Sequence, residues 1–112
     1  MSESGAVWRQ VGPSIDVPDG GMIAVEIEGA KIAIYRVDGE LFATDNICSH
    51  AFAVLTDGWL DGDEIECPLH GGRFNVRTGK ALTSPVECDI RTFPVRDVDD
   101  AVHVLLPATS RA

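Results

Sequence analysis

A chain of 112 residues has room for one domain with one modest core. Its formal charge of −9 argues against nucleic acid and anionic membranes as partners, since both are held by clustered Lys and Arg. Such an acidic surface would instead steer the chain towards basic patches on other proteins.

No apolar run approaches membrane-spanning length, and residues 1–5 lack the basic start and apolar stretch of a secretory signal. Three cysteines do not make a disulfide framework. A soluble, cytoplasmic monomer is expected. In chain order, residues 22–27 and 31–37 are β-rich runs joined by a short loop, Glu28-Gly29-Ala30. Asp38-Gly39 is a favoured two-residue hairpin turn leading into a strand at 40–44. Residues 45–85 change character: they are rich in Gly, Asp and turn formers, with short strands expected at 63–66 and 72–75 and at most one short helix near 51–55. Residues 91–95 and 101–106 are expected to pair across an acidic turn from Asp97 to Asp100, with Pro94 at an edge or non-bonded position. Residues 1–6 and 107–112 are expected to be loose ends. The fold class is all-β: one domain, 1–112, in which 7–44 and 86–106 form a β base and about 45–85 an inserted subdomain.

The inserted stretch holds the chemistry. Cys48-Ser49-His50 and Cys67-Pro68-Leu69-His70 each offer one thiolate and one imidazole, with sixteen residues between them. Two Cys and two His are the ligand set of a [2Fe–2S] centre in which imidazoles replace thiolates on one iron. Two ferric ions, two sulfides and two thiolates sum to a formally neutral oxidised cluster, so an added electron is better tolerated than in an all-thiolate site. That raises the potential into a range of roughly −150 to +300 mV. Zinc also accepts two Cys and two His, but zinc fingers usually place like ligands together, whereas each loop here is mixed.

The rest of the motif, Asp57-Gly58-Trp59-Leu60-Asp61-Gly62, Ile65-Glu66-Cys67-Pro68-Leu69-His70-Gly71-Gly72-Arg73-Phe74 and Thr78-Gly79-Lys80-Ala81-Leu82 leading to Pro85, resembles the Rieske-type ferredoxins of bacterial aromatic-ring dioxygenases. The resemblance implies an antiparallel β-sandwich base with a small inserted cluster-binding subdomain and one [2Fe–2S] cluster per chain. Cys48 and Cys67 would hold the inner iron, and His50 and His70 the outer iron nearest solvent. It further implies a non-enzymatic one-electron carrier. Electrons would come from an NADH-dependent flavoprotein reductase and pass, by transient docking, to a terminal ring-hydroxylating oxygenase. The alternative is a Rieske small subunit of a larger complex, such as NADH nitrite reductase. The chain cannot be the oxygenase alone, because a mononuclear iron site needs two His and a carboxylate and only His103 is left over.

The respiratory Rieske branch adds a cysteine to each ligand loop and sets Ser and Tyr hydroxyls on the cluster sulfurs. The matching positions here are Ala53 and Leu69, and Gly72 and Phe74. Fewer donors to sulfur favour the lower end of the potential range. Gly71, Gly72 and Gly79 are expected to let the main chain approach the sulfides. Phe52, Leu69 and Pro85 form a collar that either contacts a partner or only shields the cluster. Trp59 and Phe74 are read as packing, Cys88 as a buried structural thiol and His103 as a strand residue. Arg73, Arg77 and Lys80 form a local basic strip, read as solvated surface charge.

Overall fold

The turn chemistry is obeyed at three hairpins. Glu28 and Gly29 have φ of 52° and 87°, Asp38 and Gly39 of 52° and 80°, and Asp99 and Asp100 of 55° and 64°. Two successive left-handed residues are what a tight two-residue hairpin needs, because its twist then matches the strands on either side. The first turn is therefore shorter than the three residues expected: Ala30 already pairs with Ile27.

The computed structural model describes residues 7–48, 53–69, 71–83 and 89–106. The strands are β1 (Val7–Pro13), β2 (Met22–Ile27), β3 (Ala30–Val37), β4 (Glu40–Asp45), β5 (Trp59–Asp61), β6 (Glu64–Glu66), β7 (Arg73–Asn75), β8 (Thr92–Phe93), β9 (Val95–Val98) and β10 (Ala101–Leu106). They form three antiparallel sheets, β1-β10-β9, β2-β3-β4-β8 and β5-β6-β7. The all-β class holds, and the helices among the described residues are two single 3-10 turns, Ser14–Asp16 and Leu55–Asp57. The second lies at the end of the stretch where a short helix is expected; residues 51 and 52, like the two chain ends, lie outside the described residues. No described helix is long and apolar enough to cross a membrane.

Strand β3 organises the core. Ile32 and Ile34 pack on one side with Val102, Val104 and Phe93, while Ala33, Tyr35 and Val37 pack on the other with Leu55, Ile65, Phe74 and both described cysteines. A strand buried on both faces reads as a continuous apolar run, as Ile32-Ala33-Ile34-Tyr35 does. The sheet containing β3 is thus the middle layer, with the β1-β10-β9 sheet on one side and β5-β6-β7 on the other.

Three further expectations need correction. The acidic turn is Asp99-Asp100 alone, not Asp97 to Asp100, because Asp97 and Val98 already pair within β9. Residues 91–95 are not one strand opposite 101–106: Thr92–Phe93 pairs with β4, and only from Val95 does the chain pair with β10. Pro94, with no N–H to donate, sits where the chain changes sheets, and its carbonyl accepts the Leu105 N–H at 2.9 Å. Strand β1, not foreseen in sequence, lies along β10 with an irregularity between Gln10 and Gly12. His103 is a β10 residue whose Nδ1 lies 3.2 Å from the Ala101 carbonyl, consistent with a strand role.

Candidate metal centre

Both ligand loops close in the same way. The Cys48 N–H donates to the Ala53 carbonyl at 2.9 Å, and the Cys67 N–H donates to the Gly72 carbonyl at 2.7 Å. Each bond spans five residues from the cysteine, so each loop starts on a thiol held by its own main chain. Beneath the first loop, Ile47 bridges to Val54. Beneath the second, Glu66 pairs with Arg73 in the β6–β7 hairpin.

The two thiols meet inside the molecule. Cys48 is 3 % exposed and Cys67 0 %, no disulfide joins them, and they lie within side-chain hydrogen-bonding reach. The Leu69 N–H donates to Cys67 Sγ at 3.4 Å. Burial pushes the Cys67 thiol up; the Leu69 N–H opposes this, and the neighbouring Cys48 adds to it. Adjacent buried thiols resist ionisation unless a metal supplies the balancing positive charge. The donor set of Cys48 and Cys67 therefore fits an iron–sulfur group. His50 and His70 lie outside the described residues, as do Phe52, Pro85 and Cys88.

The family model of the Rieske [2Fe–2S] domain matches residues 7–94. The chain belongs to this Rieske family. Its cofactor is a Rieske [2Fe–2S] cluster, and the zinc reading falls. The Rieske chain is 54 % identical over 89 residues to the ferredoxin component of the naphthalene 1,2-dioxygenase/salicylate 5-hydroxylase systems of a Ralstonia species, covering 80 % of this chain and 86 % of that protein. Among solved structures, it is similar to the Sphingomonas yanoikuyae B1 ferredoxin, with a TM-score of 0.85 and 43 % identity over 90 % of this chain and 100 % of that one. It is also similar to a chain in the complex of reduced oxygenase and oxidised ferredoxin of carbazole 1,9a-dioxygenase, with a TM-score of 0.83 and 40 % identity over 88 % of this chain and 92 % of that one.

Several residues around the Rieske site differ from their sequence reading. Phe74 is wholly buried in the core, as expected, but Trp59 is 59 % exposed and does not pack the interior. Gly79 does bring main chain close, though to Ile90: a Cβ there would lie 2.1 Å from the Ile90 carbonyl oxygen. The basic strip is largely neutralised. Arg73 pairs with Asp61, Glu64 and Glu66 at 3.3, 3.2 and 2.9 Å. Arg77 lies 3.3 to 3.9 Å from Asp63, Glu40 and Asp38 and stacks 4.7 Å over Phe42. These partners precede the arginines in sequence, so a charge count within the strip misses them.

Asn46 is a site residue that sequence reasoning passed over. It is buried; its Oδ1 accepts the Thr56 N–H at 2.9 Å and its Nδ2 donates to Thr56 Oγ1 at 3.0 Å. Its backbone binds Lys31 and Leu55. Asn46 therefore ties both sides of the first ligand loop to β3. Asn46→Ala should destabilise the protein by about 1–3 kcal/mol, because it leaves half-buried Thr56 groups without their partner. Thermal unfolding and the rate of cluster loss to a chelator, followed by visible absorbance, check this. Tyr35, also buried, spends its hydroxyl on Thr44 at 2.8 Å, and Thr44 in turn donates to the Asp45 carbonyl at 2.8 Å. Burial raises the phenol far above its ordinary 10.0.

Proposed function

We propose that this chain is the mobile one-electron carrier of an aromatic-ring dioxygenase system. It would take electrons from an NADH-dependent flavoprotein reductase and deliver them to a terminal ring-hydroxylating oxygenase, in the cytoplasm and as a monomer. The observation that carries the reading is the pair of matched ligand loops, which hold two buried thiols together on a scaffold like that of dioxygenase ferredoxins. Residues 1–112 act as one Rieske domain, with about 45–85 carrying the cluster. We take Cys48, His50, Cys67 and His70 as its ligands.

When bound, the cluster accepts and releases one electron without substrate chemistry. The chain's own residues set the conditions for that exchange. Leu55, Tyr35, Ile65 and Phe74 keep water from the thiol side. Leu69, 43 % exposed within the second loop, presents an apolar contact at the surface. Its N–H steadies the charge on Cys67. Phe74 brings no hydroxyl to the site, and the Tyr35 hydroxyl is committed to Thr44. We therefore expect a midpoint in the lower part of the Rieske range, below about 0 mV. A redox titration giving a clearly positive value would contradict this.

The test is reconstitution. The holo-chain replaces the ferredoxin component in a purified naphthalene 1,2-dioxygenase system, and NADH-dependent turnover is followed. Turnover that depends on the chain and weakens with salt supports a diffusing carrier. A lack of turnover, or a stoichiometric complex that persists in high salt, would overturn it. The relatives are ferredoxin components of dioxygenase systems, and no observation favours the nitrite-reductase alternative.

A further inference from the structure

The outer face of the cluster-bearing hairpin has its own chemistry. Register pairs Trp59 with Glu66, and Glu66 with Arg73. The Phe74–Ala81 bridge and the Leu82 N–H bond to the Arg73 carbonyl, 2.8 Å, set Leu82 beside Arg73. Directly paired residues share a face. Trp59, Glu66, Arg73 and Leu82 therefore form one row, about 14 Å long at the usual spacing of roughly 4.8 Å between strands. Leu60, Ile65 and Phe74 point the other way, into the core.

Both ends of this row are apolar and open: Trp59 is 59 % and Leu82 40 % exposed. Single exposed apolar residues need no explanation. Here two of them bracket a charged pair on the hairpin that carries Cys67, with exposed Leu69 in the loop at its end. Asp61 and Glu64 occupy the next row of the same face. Three carboxylates share the one guanidinium of Arg73, so the face stays negative.

We infer that this face is a docking surface, continuous with the ligand loop, for a redox-partner protein that presents an apolar patch flanked by Arg or Lys. The inference rests on the carrier reading above and specifies which side of the carrier is gripped. A partner cation placed over Trp59 would gain both the ring face and the carboxylates beside it. A second copy of this chain fits poorly, because it would bring the same negative face to a chain already at −9.

The experiment uses the reconstituted naphthalene system and measures rate against carrier concentration, alongside direct binding of the holo-chain to immobilised oxygenase and reductase. Trp59→Ala and Leu82→Ala should each raise the half-saturating concentration about five-fold. The maximal rate, iron content and EPR signal should stay those of the parent. Asp61→Asn with Glu64→Gln should flatten the salt dependence. Val98→Ala, at an exposed apolar position on β9, should change nothing. Unchanged binding and half-saturation for both apolar variants, with an active parent, would overturn the docking surface alone. A parent that neither binds nor supports turnover would overturn the carrier reading and this one with it. Self-association of the parent that is lost in Trp59→Ala would assign the face to a second copy instead.

Discussion

Cys67→Ala is expected to give a colourless protein, with iron and sulfide per chain falling to near zero. Cys67 is fully buried and faces Cys48, so no other described thiol stands ready to take its place. The lost group is small and the β6–β7 hairpin has its own backbone bonds, so the fold should persist without the metal. Exchanging an imidazole for a thiolate should act differently. With His70 as the ligand proposed above, His70→Cys would add negative charge to the cluster instead of removing a ligand. Iron should be retained while the potential drops towards the roughly −400 mV of all-thiolate plant-type centres. Iron and sulfide analysis, EPR of the reduced protein and a redox titration read the two outcomes. A Cys67→Ala protein with the parent's spectrum would show that the ligand set has been misassigned.

Gly58→Ala is expected to be among the most damaging substitutions that remove no ligand. A Cβ at this position would lie 1.9 Å from the Glu66 carbonyl oxygen and 3.1 Å from both the Glu66 carbonyl carbon and Pro68 Cδ. The obstacle is backbone and a proline ring rather than a flexible side chain, and it flanks Cys67 on both sides. Relief requires the strand leading into the second ligand loop to move. A loss of at least about 3 kcal/mol is expected, together with poor cluster retention. Gly29→Ala supplies the contrast: its φ of 87° is left-handed, yet nothing lies within 4 Å of the added carbon. That variant should lose only about 1–2 kcal/mol of backbone strain and keep its cluster. Chemical unfolding and iron content measured on both variants check the pair. Equal stability of Gly58→Ala and its parent would remove the proposed crossing of the two ligand segments.

Much of this protein is local, and what is local can be read in sequence. The positive-φ pairs at Glu28-Gly29, Asp38-Gly39 and Asp99-Asp100 are set by contiguous residues whose conformations are cheap or costly by themselves. The strands on either side follow from them. The two mixed Cys–His loops are equally local, since ligand type and spacing define the metal chemistry before any neighbour is known. By itself, the sequence determined the all-β class, the Asp38-Gly39 turn and the cluster type; it located the other two turns but made each one or two residues too long.

The tertiary structure decided what depends on an absent neighbour. Gly58 has a φ of −93°, outside the left-handed region, so its close approach to backbone appears only when Glu66 crosses it. Pro94 divides what looks like one strand because β4 and β10 compete for the residues on either side. Trp59 faces out and Tyr35 in because β5 is covered on one side only, while β3 is covered on both. The charges of Arg73 and Arg77 are answered by carboxylates from strands that precede them. In each case the physical reason is the same: packing, close backbone approach and charge neutralisation are properties of pairs of segments, and a single segment does not carry its partner's position.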